Sequence, residues 1–136
     1  MANVLERQIT EDGYRNAVVK LTGILDTSDI SETAISLGDL TGNDPAMTFI
    51  GARVEMIEWS MTNGIAVILS WNGLNPQQIY PLAGRGRIYG ANYGGFVPDV
   101  TRLNYDGSII LSTNGFLPGK VQAFTCVLEL IKMYSK

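Results

Sequence analysis

Apolar side chains fall at alternate positions between Tyr14 and Leu25. Ala17, Val19 and Leu21 mark one side, while Asn16 and Lys20 point to the other. That period of two predicts a half-buried β-strand. An earlier strand is predicted over Val4–Thr10, closed by Glu11-Asp12-Gly13. After Leu25, Asp26-Thr27-Ser28-Asp29 reads as a turn whose side chains supply hydrogen-bond acceptors. A less regular strand follows over Ile30–Leu37, and then a polar loop, Gly38–Ala46, with the turn sequence Gly42-Asn43-Asp44-Pro45.

The strongest local signal is Asn63-Gly64, set between Trp59-Ser60-Met61-Thr62 and Ile65-Ala66-Val67-Ile68-Leu69. Asn-Gly between apolar runs predicts a two-residue hairpin loop, because both turn residues take positive φ. In that hairpin Thr62 pairs with Ile65 and Trp59 with Ile68, and Trp59, Met61, Ala66 and Ile68 share a face. Upstream the apolar phase slips. Ile50, Ala52, Val54 and Met56 form one alternating set; Ile57, Trp59 and Met61 form another, one residue out of step. A β-bulge, or a strand passing between sheets, reconciles the two.

Trp71-Asn72-Gly73 to Pro76 predicts a turn, and Gln78–Ala83 a short strand in which Pro81 suits an edge or bulge. Gly84–Gly95, with glycines at 84, 86, 90, 94 and 95 beside Tyr89 and Tyr93, is the most irregular stretch. Ser108–Thr113 is a strand ending at a second Asn-Gly, Asn114-Gly115, and Pro118-Gly119 turns the chain into its last segment. Lys120–Tyr134 fits a helix through Phe124, Val127, Leu128 and Ile131. It also fits a strand through Phe124, Cys126, Leu128 and Leu130. The β-branched residues Val121, Thr125, Val127 and Ile131, and the lack of an N-cap beyond glycine, favour a long central strand. The whole predicts one all-β domain over residues 1–136, an antiparallel β-sandwich of jelly-roll type, with a short N-terminal arm over about 1–7.

Composition changes this picture in two ways. Of the 136 residues, 46% are hydrophobic and only 17% charged, which leaves neutral surface suited to burial against partners. The net charge is −3, which disfavours sequence-independent nucleic-acid binding. Acids cluster at Asp26, Asp29, Glu32, Asp39 and Asp44, whereas Arg85, Arg87 and Arg102 come later; they suit solvated loops or complementary patches between copies. No apolar leader or membrane-length span is evident, and the single cysteine, Cys126, lies in the apolar run AFTCVLELI and is expected to be buried and inert.

Histidine is absent. That removes the commonest general base, the usual zinc ligand and the standard triads. Glu55 and Glu58, three apart on a strand, are expected on opposite faces and so cannot act as a pair. The loop acids lack a calcium-loop pattern. Gly84-Arg85-Gly86-Arg87 has no following helix for a dinucleotide site and reads as a glycine-bent segment. No catalytic residue, metal site or cofactor is expected. Tyr89, Tyr93, Phe96 and Tyr105 suit a recognition surface, sugar-binding ones included, or a plug for the end of the sandwich.

Several stretches together resemble a known group: Asn16-Ala17-Val18-Val19-Lys20-Leu21-Thr22-Gly23, Leu25-Asp26-Thr27-Ser28-Asp29, Ile57-Glu58-Trp59-Ser60-Met61, Leu82-Ala83-Gly84-Arg85-Gly86, Asp106-Gly107-Ser108-Ile109-Ile110-Leu111-Ser112-Thr113 and Ala123-Phe124-Thr125-Cys126-Val127-Leu128-Glu129-Leu130. The set resembles small virion proteins of tailed bacteriophages and the β-sandwich cement proteins that clamp phage capsids. The resemblance implies a non-enzymatic capsid cement or decoration protein, with the major capsid protein as partner and a place on the capsid surface after assembly in the host cytoplasm. Self-association, as a dimer rather than a trimer, is expected too, with neither nucleic acid nor membrane as partner. Interface residues are expected in the arm (Asn3, Leu5, Arg7) and in the later loop (Arg85, Arg87, Tyr89, Tyr93, Phe96, Arg102). The alternatives are a carbohydrate-binding β-sandwich on a virion surface and a head–tail or tail component.

Overall fold

The alternation after Tyr14 becomes a strand, Asn16–Leu25, whose inward side chains Ala17, Val19, Leu21 and Leu25 are fully buried. The computed structural model describes residues 3–62, 64–90, 95–99, 101 and 103–135. Its strands are β1 (Val4–Asp12), β2 (Asn16–Leu25), β3 (Ser31–Ile35), β4 (Thr48–Met61), β5 (Ala66–Trp71), β6 (Gln77–Ala83), β7 (Arg85–Tyr89), β8 (Ile109–Asn114) and β9 (Gln122–Ser135), with one 3-10 turn at Leu37–Asp39. They form a five-stranded sheet, β1-β2-β9-β4-β7, and a four-stranded sheet, β3-β8-β5-β6.

Every pairing is antiparallel, and the pairings nest. β2 pairs with β9, β3 with β8, β4 with β7 and β5 with β6. The chain is thus doubled back on itself at the β5–β6 turn. The doubled ribbon then rolls, setting β4 against β9 and β5 against β8. That is a jelly roll, and β1 is added to it outside β2. The inner faces meet in one core, with Val19, Leu21, Val54, Ile57, Leu128 and Leu130 from the larger sheet and Val67, Leu69, Leu82 and Leu111 from the smaller.

The ambiguous last segment is strand, and it is central: β2 and β4 occupy its two edges. The slip of apolar phase in β4 is a bulge, since its register against β9 shifts between Val54 and Met56. Pro81 lies in β6, an edge of the smaller sheet.

The Asn-Gly hairpin does not form. Trp59 is paired with Gly86 of β7 on one side and Cys126 of β9 on the other, so β4 has no free edge for β5. Ile68 pairs with Pro81 and Ser112 in the other sheet. Gly64 does take a positive φ, +94°, and Ile65 N–H donates to the Thr62 carbonyl. The turn sequence therefore bends the chain from one sheet to the other. As a result Trp59 and Met61 face inward from β4, whereas Val67, Leu69 and Trp71 supply the buried face of β5 and Ala66 and Ile68 lie on its other side. The stretch after Gly84 is also more regular than expected, because residues 85–89 form β7 along β4.

Candidate functional site

Register aligns the outward side chains of the larger sheet in rows that cross its strands. One row runs Glu6, Thr22, Thr125, Ser60, Arg85; the next runs Gln8, Lys20, Val127, Glu58, Arg87. Where the rows approach β7, Glu58, Trp59, Ser60, Arg85, Gly86, Arg87, Thr125 and Val127 line an open groove of about 520 Å³. Its floor is hydroxyl and valine and its wall is arginine.

Arg87 is fixed in that wall. Its Nε donates to Glu58 Oε2 at 2.6 Å and its Nη1 to the Tyr89 hydroxyl at 3.1 Å, with the guanidinium carbon 6.0 Å from the Tyr89 ring centre. Hydrogen bonding to Glu58 and Tyr89 raises its pKa further, so its charge is permanent. Arg85, the neighbouring outward residue, is exposed.

The bulge corrects one expectation. Glu55 lies on the outer side, lining a smaller hollow of about 210 Å³ with Glu11, Val18, Glu129 and Ile131. Glu58 is outward too, so the two carboxylates share a face after all. Arg53 Nε donates to Glu55 at 2.6 Å, and Glu58 is held by Arg87. Each is neutralised by its own arginine, which suits neither an acid–base pair nor a metal. Among the described residues no group of three or more carboxylate or cysteine side chains is placed to hold a metal ion.

The expected interface residues separate into groups. Arg85, Arg87 and Tyr89 come together on β7, at the rim of the groove. Asn3 is occupied locally: its Oδ1 accepts from the Asp26 and Thr27 N–H groups and its Nδ2 donates to Ser28, which clamps the β2–β3 turn. Leu5 and Arg7 are not on a free arm, because the chain from Val4 onward is paired with β2. Leu5 packs on the core, and Arg7 Nη1 donates to the Ala34 carbonyl at 2.8 Å. Phe96 is no exposed anchor; its ring lies 5.7 Å from Tyr80 against the core. Tyr93 and Arg102 lie outside the described residues. Several loop acids serve as local acceptors: Asp29 takes Thr113 Oγ1 and Phe116 N–H, and Asp39 takes Ser36 N–H.

Sequence reasoning missed Ser60, Thr125, Thr22 and Lys20. Their only signal was to be the polar members of alternating strands, and which strands adjoin is a tertiary fact. Of the two tryptophans, Trp59 borders the groove. Trp71 is buried, and the half-buried Trp59 ring turns inward toward Tyr80, centroids 6.1 Å apart, with its Nε1 donating to the Ala83 carbonyl.

No protein-family model matches the chain. No curated protein matches it either. A solved structure described as "CBM4 structure and function" is similar at 9% identity with a TM-score of 0.30, covering 98% of this chain and 95% of that one. The jelly roll rests on the strand pairings themselves.

Proposed function

We propose that the protein is a non-enzymatic structural component of a bacteriophage virion, a capsid cement or decoration protein that bridges neighbouring copies of the major capsid protein. The observation that supports this reading best is the outer face of the larger sheet. Its two central rows span all five strands and carry charges of both signs. A broad, mixed-charge sheet face suits a protein surface of matching shape, where arginine anchors contribute strongly. Arg85 and Arg87, with Tyr89 beside them, are the anchors of this reading. A protein that binds assembled shell better than free subunits shifts assembly by mass action. Many symmetry-related copies then make modest contacts collectively large. The place of action in this reading is the capsid surface, after assembly in the host cytoplasm. Self-association of the free protein, as a dimer, remains part of the proposal, although β9 now contributes its outer face alone.

Carbohydrate binding is the second reading. The groove volume falls in the range of ligand sites, and Ser60, Thr125, Glu58 and the arginines are hydrogen-bonding groups. The Trp59 ring that borders the groove turns inward to Tyr80, with its Nε1 held by the Ala83 carbonyl, rather than standing out as a stacking platform, which places this reading second.

The test is to heat purified capsids with and without the protein. Cement predicts a higher disruption temperature with bound protein. It also predicts that Arg85→Gln combined with Arg87→Gln sharply weakens binding while the free protein still unfolds near its usual temperature. Unchanged shell stability, together with saturable binding to a glycan, would replace the first reading with the second.

A further inference from the structure

A jelly-roll sandwich exposes four strand edges, and three of them here are blunted. β3 spans only Ser31–Ile35, its ladder is broken at Ala34, and the Ala34 carbonyl is taken by Arg7. β6 carries Pro81, which has no N–H to offer. β7 spans only Arg85–Tyr89. Short strands, proline and covering side chains are the usual protections against edge-to-edge pairing. β1 differs. It has nine residues and no proline, and its register against β2 is regular from Val4 to Ile9 before a bulge. Its Asp12 end is covered by Thr41 and Gly42, and Arg7 reaches inward to Asp39 at 3.3 Å, which leaves the Val4–Ile9 edge as the longest open ladder among the described residues.

The side chains on that edge discriminate between occupants. Opposed residues of an antiparallel pair share a face, so a two-fold pairing of β1 with its own copy must be centred on a residue. Centring on Glu6 sets Glu6 against Glu6, and centring on Arg7 sets Arg7 against Arg7. Like charges directly opposite are destabilising. Centres on Leu5 or Gln8 avoid this but engage only part of the Val4–Ile9 ladder. β1 is therefore poorly suited to a second copy of this chain.

We propose that the Val4–Ile9 edge of β1 accepts an extended segment of a different protein, with a basic residue opposite Glu6 and apolar residues opposite Leu5 and Ile9. Main-chain hydrogen bonds supply the attachment in such strand addition, and the alternate side chains supply the selection. Glu6 is exposed and points outward, free to meet a cation, while Leu5 and Ile9 are half-buried on the inner side, where an apolar neighbour extends the core. The inference stands apart from the reading of the outer face, since it concerns an edge that the groove does not use.

The probe is a blocked peptide, Val-Thr-Thr-Lys-Val-Thr, which runs antiparallel from Ile9 to Val4 and places its lysine opposite Glu6. Titrated to millimolar concentration into the isotope-labelled full chain, it should shift and protect alternate amides of β1. Glu6→Lys should weaken binding about fivefold, and a peptide with glutamate in place of lysine should restore it. Glu6→Gln, expected to fall between, serves if the reversal perturbs folding. No shift along β1 at millimolar peptide would overturn the proposal, as would an affinity indifferent to residue 6. Concentration-dependent protection of β1 without peptide would also overturn it, by making a second copy the occupant. None of these outcomes bears on capsid stability, so this inference and the cement reading fail separately.

Discussion

Gly23 and Phe124 face each other across β2 and β9, on the inner side of the sheet. A Cβ on Gly23 would lie 2.2 Å from the Phe124 ring, which is itself buried and has nowhere to move. Gly23→Ala should therefore destabilise by about 1–3 kcal/mol, the usual cost of overpacking a filled core. The fall should appear as a lower midpoint in urea with an unchanged slope. Gly86 plays the same part opposite Trp59, whose ring lies 2.8 Å from the missing Cβ. Neither role is readable from the chain, since it depends on which side chain lies opposite. Cys126 is the opposite case, since its apolar neighbours announce burial. It is fully buried, and burial pushes the thiol up to about 12. Labelling by an aromatic disulfide at neutral pH should proceed only at the rate of unfolding; fast labelling of the native protein would contradict this placement.

At the scale of the element, the end of β1 is tied to the end of β9. Lys132 is 5% exposed, and its side-chain nitrogen is paired rather than stranded. Its Nζ donates to Asp12 and to the Gly42 carbonyl at 3.1 Å, and it lies 5.6 Å from the Phe49 ring centre. Asp12 also accepts from the Thr41 and Gly42 N–H groups at 2.8 and 2.9 Å. Burial works to raise the Asp12 pKa, but the Lys132 bond and the two backbone N–H groups together hold it below the ordinary 3.8. A depressed carboxylate stabilises the fold above its unfolded pKa and loses that contribution as pH falls through the folded value. Asp12→Asn should cost about 3 kcal/mol at pH 7, because it strands a buried ammonium. The gap from the natural protein should begin to narrow as pH falls below about 4, where Asp12 protonates in the unfolded state, and should close only as pH passes below the depressed folded value. Lys132→Met should cost less, since the remaining carboxylate keeps two N–H donors and some solvent. Urea unfolding of the three proteins at pH 7, 5 and 3 checks the order and the narrowing.

For the whole molecule, nesting has a kinetic consequence. The pair β2–β9 brings Asn16 to Ile131, far apart in sequence, while among the paired strands only β5–β6 and β1–β2 are consecutive and joined by short turns. Contacts that distant in sequence slow folding, so refolding should take on the order of milliseconds to seconds. The β5–β6 hairpin should be the most native-like part of the transition state. Stopped-flow refolding of Leu69→Ala and Leu128→Ala should show the first slowing folding and the second mainly speeding unfolding.

Within-strand information proved legible from the residues alone. Alternation in β2, the phase slip that becomes the bulge in β4, a proline suited to an edge or bulge and the preference of β9 for strand all follow from side-chain periodicity and backbone preference, which act over a few residues. Partner choice was not legible. Asn63-Gly64 specifies a reversal of direction, and nothing local says whether the returning chain pairs with β4 or crosses to the other sheet. That was decided by β7 and β9, which occupy both edges of β4. The candidate face has the same origin. Arg85, Arg87 and Tyr89 stand close in sequence and could be singled out there, whereas Ser60, Thr125, Thr22 and Lys20 join them only through register. Which faces point outward is local patterning; which strands lie side by side is settled by how the whole core packs.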